Sequence, residues 1–354
     1  MNKHLIGIGS RLPVLALGLA WMCIASSASA HHSPAGYDTA KTITAQGTVS
    51  KIQWFNPHVY VYMEGISEDG KKIEWEIECF PPIALRGFGW SKGTVQVGDK
   101  LSVRGNPARN PIYRGIYPSV ITLGDRTLFS MKDAAKLLIA DARPQKSTEK
   151  ANGLRGLWTP TRSMPLVMQF NFPDASKLTK EGQAALKRSD EKTGPVTDCI
   201  PSAAPIWMVA PTLKRMTIEE GVIRIEDEYE GARRIIHLNN ATHEGAIPSF
   251  QGDSIGRWEG KTLVVDSTHF AYHGMGNGGG NGIAPNFPSS VEKHLVERFT
   301  LSADGQSLTY QFELTDPVFL AAPRTASVQW VYTPNAAFDA PPCSVENAKR
   351  FIKK

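Results

Sequence analysis

Beyond its first thirty residues this 354-residue chain lacks any segment long and apolar enough to span a bilayer, which takes about 20 residues. An excess of one charge is missing too. Of the 39 basic residues, Lys3 and Arg11 fall in the first thirty, leaving 37 against 34 acidic ones. Nucleic acid needs a concentrated basic face, so no nucleic-acid partner is expected. H-E-x-x-H and C-x-x-C are absent, which removes the zinc-protease and thiol-redox readings. No serine nucleophile is expected. The glycine-rich residues 274–282 are not followed by Lys-Ser/Thr, so they are not a phosphate-binding loop. Cysteine is scarce, with four in all and three after residue 30.

What is present begins with an address. Lys3 and Arg11 give a positive start, residues 13–25 are apolar, and Ala28-Ser29-Ala30 has the small-x-small cleavage pattern. These imply a secretory signal peptide over residues 1–30, cleaved after Ala30, and a periplasmic or secreted protein with no membrane span. Trp21 and Met22 before Cys23 are too large for lipoprotein processing. The remaining residues suffice for two domains. In an oxidising compartment Cys79, Cys199 and Cys343 allow three pairings, each leaving one cysteine over. Cys199–Cys343 is favoured because both lie in the second half beside proline-rich segments. Cys79 is then a buried free thiol.

Residues 31–130 read as the first domain. Segments 42–54, 58–64, 72–79, 101–105, 117–123 and 127–130 are β-rich, with turns at 67–70 and 97–100 and a helical turn within 81–90. Several short strands with one helical insertion suggest a small closed barrel of the oligonucleotide-binding type. His31-His32-Ser33, Tyr37-Asp38, Asn56-Pro57-His58, Gly89-Trp90 and Val97-Gly98-Asp99 occur in order. On these motifs the segment resembles a family of small exported bacterial proteins of unknown function, which brings no activity with it. The chemistry comes from the histidines. Cleavage after Ala30 gives His31 both a free amine and an imidazole, which can chelate one metal. An imidazole from His58 or His32 would complete an all-nitrogen set of the kind that suits Cu(II). The cofactor expected is therefore copper, and the metal ligands are His31, His32 and His58. Cleavage one residue earlier would instead leave Ala30-His31-His32, a generic amino-terminal copper or nickel chelator.

Residues 131–155 read as a short helix and a polar linker. Residues 156–354 read as the second domain. A helix is expected over 179–190 with Thr179 as its N-cap. Strands are expected near 215–219, 222–229, 233–238, 291–301, 307–314 and 326–332. The sharpest pattern is a hairpin over 252–270, turning at Trp258-Glu259-Gly260-Lys261. Its unbroken Leu263-Val264-Val265 run implies a buried strand that bridges the sets before and after it. The class is mainly β: the small barrel, then a larger lipocalin-like antiparallel barrel or sandwich. Asp198-Cys199-Ile200-Pro201, Ser254-Ile255-Gly256-Arg257-Trp258-Glu259-Gly260, Leu263-Val264-Val265-Asp266, Val296-Glu297-Arg298 and Cys343-Ser344-Val345-Glu346-Asn347 make this half similar to a second uncharacterised family of exported bacterial proteins. The approach to the last cysteine, Asp339-Ala340-Pro341-Pro342, departs from that family, as does the glycine-rich stretch. Candidate catalytic residues are His237, Arg257, Asp266, His269 and His294. A histidine base oriented by a carboxylate would suit a lyase or isomerase, or a carrier, for a small hydrophobic molecule. Residues 274–282 would then be its lid. His294 and Glu297 differ by an odd number, so one strand would send them to opposite faces.

Overall fold

Alternating apolar residues build strands along most of the chain, and a computed structural model shows how they close on themselves. It describes residues 36–66, 70–133, 147–161, 163–189, 194–239, 241–280 and 284–350. The turn expected at 67–70 and the helix expected from residue 131 lie largely outside them. The described residues form one compact unit.

The first barrel contains β1 (Ile43–Trp54), β2 (Val59–Ile66), β3 (Lys72–Glu78), β4 (Lys100–Pro107), β5 (Gly115–Leu123) and β6 (Arg126–Ser130). Their order is β3-β2-β1-β4-β5-β6, and a further pairing between β3 and β5 closes five of them into a barrel. A short helix, α1 (Pro82–Gly87), lies between β3 and β4. This is the small barrel with one helical insertion expected from the sequence. Val49, Val61, Met63, Ile77, Val103 and Ile121 fill it. At Gly105 the β4–β5 register shifts. A Cβ there would meet the Tyr117 carbonyl oxygen at 2.1 Å, so only glycine allows the strands so close. Cys79 is buried in this core and unpaired, and burial pushes its thiol pKa well up.

The second barrel has nine strands. They are β7 (Gly156–Pro160), β8 (Lys214–Glu219), β9 (Val222–Asp227), β10 (Arg233–His237), β11 (Asp253–Glu259), β12 (Thr262–Thr268), β15 (His294–Leu301), β16 (Ser307–Thr315) and β17 (Arg324–Tyr332). The hairpin β11–β12 bridges the earlier and later strands as expected, for β11 pairs β10 and β12 pairs β15. The β10–β11 pair is parallel. Residues 238–252 cross over between them instead of turning back, as a parallel pair demands. Strict alternation on β16 sends Leu308, Tyr310, Phe312 and Leu314 inward. Trp158, Phe299, Tyr310 and Trp330 pack the interior. Phe299 and Tyr310 lie 5.0 Å apart by ring centroids, and Tyr310 and Trp330 lie 5.5 Å apart. Among these side chains Arg234 and Glu297 form a buried ion pair.

The glycine-rich stretch corrects an expectation. Residues expected as a lid form β13 (His273–Gly280), paired with β14 (Ala284–Ser289). Met275, Asn277 and Phe287 are fully buried. Asn277 is tied at both ends, donating to Asp316 Oδ2 at 2.7 Å and accepting at its carbonyl from Arg324 Nη1 at 2.7 Å. A ribbon held inside the packing cannot swing open. Helices α2 (Met164–Asn171) and α3 (Lys180–Arg188) cover it. Thr179 caps α3 as expected, its hydroxyl accepting from Gly182 N at 3.0 Å.

The end of the chain ties the two barrels together. Cys199 and Cys343 are disulfide-bonded across 144 residues. Beside them Asn56, just before β2, pairs with Cys343, and its amide donates to the carbonyls of Tyr229 at 2.6 Å and Pro341 at 3.0 Å. After the last short helix, α4 (Val345–Lys349), Arg350 reaches the first barrel and pairs with Glu76 at 2.9 Å, lying over the Tyr60 ring. Arg86 of α1 meets Glu228 of the second barrel at 2.6 Å.

Candidate functional site

Two places bring chemistry-bearing side chains together. The first is in the small barrel. The joint at Asn56 fixes the start of β2, and His58 stands immediately before that strand. Tyr60 of β2 pairs with Glu78 of β3, which brings the Glu78 side chain beside His58. His58 Nδ1 lies 3.0 Å from Glu78 Oε1, at an angle too oblique for a formed hydrogen bond. The hydroxyl of Tyr37 donates to Glu78 Oε2 at 2.6 Å. Tyr37 and Glu78 are buried and His58 is nearly so. Burial pushes the Tyr37 hydroxyl pKa far above the usual range, and the Glu78 charge adds to it. Tyr37 therefore stays a neutral donor. Glu78 stands against the Nδ1 edge of the imidazole, so Nε2 is the ring nitrogen farther from it. His31 and His32, the other expected ligands, lie outside the described residues. Among the described residues no three His, Cys, Asp or Glu side chains gather as a metal-binding group.

The second place is the outer face of the large barrel. Alternation on β11, β12 and β15 turns Ser254, Ser267 and Glu297 inward, and Asp253, Asp266 and His294 outward. The crossover after β10 folds His243 onto this face. His243 Nδ1 hydrogen-bonds Asp253 Oδ2 at 2.6 Å, and its Nε2 hydrogen-bonds Asp266 Oδ1 at 3.1 Å. His294 Nε2 hydrogen-bonds Asp266 Oδ2 at 2.9 Å. The result is a chain, Asp253–His243–Asp266–His294, on a half-exposed surface. Burial raises the Asp266 carboxyl pKa, but the two histidines outweigh it and hold it below the usual range. His269, with φ +54°, stacks its ring on His243 at 6.0 Å.

The structure therefore joins Asp266, His269 and His294 of the expected set and adds His243 and Asp253. His237 is exposed on β10 and is not a member of the chain of hydrogen bonds. Arg257 is exposed at the hairpin tip, donating to Glu259 Oε1 at 2.8 Å, while Arg298 holds the other oxygen at 2.9 Å. That is a surface ion-pair cluster, worth little in water. His243 escaped the sequence because it sits in an irregular crossover. The signal it offered was its place between a strand ending at His237 and one beginning at Asp253.

Residues 252–256 do spell G-x-S-x-G, the letters of a hydrolase nucleophile elbow. Such an elbow exposes its serine at a strand-to-helix turn. Ser254 instead lies within β11, buried inside the barrel, accepting from Arg234 Nε at 2.9 Å and from the Ser267 hydroxyl at 3.1 Å. The letters of the motif are therefore present, but set in a strand and not in an elbow.

Residues 20–117 match the model of a family of unknown function (DUF6152). The matched region takes in the first barrel up to β5, with His58 and Glu78, and this part of the chain is similar to that family. No protein of curated function matches the chain. No helix among the described residues is long and apolar enough to cross a membrane.

Proposed function

We propose that this is an exported metal-binding protein whose site is built by His58 together with the amine and imidazole of a mature N-terminal His31, and that the metal is copper. The observation that carries the reading is the nearly buried His58 imidazole beside Glu78, whose carboxylate Tyr37 holds by a hydrogen bond. Chain length is compatible. Tyr37 is six residue steps from His31, a tether of about 20 Å when extended, and Tyr37 itself touches Glu78. An α-amine and an imidazole, with ordinary pKa values of about 8 and 6.5, release protons to a metal near neutral pH. His32 is the alternative third ligand. The disulfide supports export, because such bonds persist in oxidising compartments.

The test is a Cu(II) titration of protein processed to His31, read by electron paramagnetic resonance. Stoichiometric binding with nitrogen hyperfine splitting is expected. One extra Ala before His31, or His58→Ala, should weaken it at least tenfold. Binding indifferent to both changes would end the copper reading. The Asp253–His243–Asp266–His294 chain favours a second reading, proton transfer to a small hydrophobic molecule as a lyase or isomerase would need. The packed barrel interior leaves that chemistry only the outer face. A turnover lost in both His243→Asn and His294→Asn, and kept in His58→Ala, would favour it over copper.

A further inference from the structure

Arg324 opens β17 with a side chain almost entirely buried, at 8% exposure. Its Nη1 donates to the Asn277 carbonyl at 2.7 Å. Its guanidinium lies 5.3 Å from the Phe287 ring centroid and 6.0 Å from that of Phe170. These contacts place a flat cation between aromatic faces, as cation–π geometry favours. They leave most of its five donors unused. No carboxylate among the described residues lies within ion-pair distance of it. Asp316, linked to it through Asn277, is already committed to Asn277 Nδ2, Ser290 N and Ser290 Oγ at 2.7–2.8 Å. Burial accordingly lowers the guanidinium pKa to about 10, with no opposing charge to restore it.

A buried arginine without a counter-charge is costly unless something supplies one. Arg324 lines a pocket of about 390 Å³ shared with Lys177, Met168, Gln169, Phe172 and Thr325. The volume lies in the range of small-molecule sites. Asp174 is in the lining too; its Oδ1 accepts from Ser176 N at 3.0 Å and Ser176 Oγ at 2.8 Å, and Lys177 beside it offsets its charge. Met168 and Phe172 of the same lining are apolar and open, 49% and 48% exposed. The two sides are held in place, since Ala321 N donates to Lys177 O at 2.9 Å and Leu178 pairs with Leu320. Two cations and exposed apolar side chains in one lining describe a ligand with an anionic head and a short hydrophobic body.

We propose that this pocket is a binding site for a small organic carboxylate, its head held by Arg324 with Lys177 at the rim and its apolar body lying on Met168 and Phe172. The site stands apart from His58 and from the histidine chain on the barrel face, and rests on neither.

Octanoate is the probe, compared by isothermal titration calorimetry with octan-1-ol, which has the same tail and no charge. Saturable binding of one octanoate is expected, with octan-1-ol at least tenfold weaker. Arg324→Gln should abolish octanoate binding, but it also removes a buried contact that supports the fold. Met168→Glu is the second variant, because that side chain is half exposed and a carboxylate there repels the ligand. It should keep the parent circular dichroism spectrum and weaken octanoate at least tenfold. Absence of saturable octanoate binding, octan-1-ol binding as tightly as octanoate, or binding unchanged in Met168→Glu would each overturn the proposal.

Discussion

Glu297→Gln is the sharpest test of how the large barrel holds its polar interior. Glu297 is wholly buried. Its Oε1 accepts from Arg234 Nη1 at 2.8 Å and from the Tyr310 hydroxyl at 2.6 Å, and its Oε2 lies 2.5 Å from Arg234 Nη2. Arg234 also donates to Ser254 and Ser267. The substitution keeps the shape and removes the charge. It leaves a buried guanidinium facing neutral groups, which costs about 3–5 kcal/mol. Replacing both partners with apolar residues, Arg234→Met with Glu297→Leu, removes the stranded charge. What remains is one unpaired Tyr310 hydroxyl, a cost of about 1–3 kcal/mol, because Ser267 can still donate to Ser254 at 3.1 Å. The double variant should therefore be more stable than Glu297→Gln alone. Urea denaturation followed by tryptophan fluorescence measures both. A single variant within about 1 kcal/mol of the parent, or a double variant less stable than the single, would refute the reasoning.

The remaining predictions concern the joint and the acid side. Breaking Cys199–Cys343, by reduction or by Cys199→Ser with Cys343→Ser, reopens a loop of 144 residues, for which the chain-entropy model gives about 5 kcal/mol. The urea midpoint should fall by a matching amount and protease should cut first near residues 335–350; an unchanged midpoint counts against the disulfide as a structural tie. Burial lowers the His273 pKa to about 4, although Nε2 donates to the Pro201 carbonyl at 2.9 Å. The folded state thus keeps His273 neutral while the unfolded chain takes up a proton near pH 6.5. Its contribution to stability is complete above pH 6.5 and falls as pH drops from 6.5 toward 4, by at most about 1.4 kcal/mol per pH unit. The parent should lose stability faster than His273→Gln across that window, and equal slopes would show that His273 does not titrate as described.

Much of the fold was legible because alternation is local. Leu308, Tyr310, Phe312 and Leu314 announce β16 by themselves, and Gly260 at a tight turn between two strand-forming runs announces β11–β12. The β13–β14 ribbon was not legible, because its glycines carry no pattern that a period can detect. Their role is in the packing. A Cβ on Gly276 would meet Ser289 Oγ at 1.8 Å, and one on Gly278 would meet the Phe170 carbonyl oxygen at 2.2 Å. Glycine here marks close backbone approach, which has the same letters as a mobile loop. The parallel β10–β11 pair was hidden for a related reason, since the pairing partner of a strand is fixed by the crossover and not by the strand's own residues.

The sites divide along the same line. Parity along β15 separates two kinds of polar residue only three positions apart. His294 faces out and joins Asp266 and His243, and Glu297 faces in and holds Arg234. The sequence could exclude their partnership from the odd spacing alone. It could not supply His243, whose contacts with Asp253 and Asp266 exist only once residues 238–252 have crossed the barrel. His58 was legible as a strand-leading histidine after Asn56-Pro57. Glu78 was not, since its value lies in a cross-strand neighbour twenty residues away that the β2–β3 register brings alongside. In both places one member of the pair is readable from the chain, and its partner is chosen elsewhere, by register at Glu78 and by the crossover at His243.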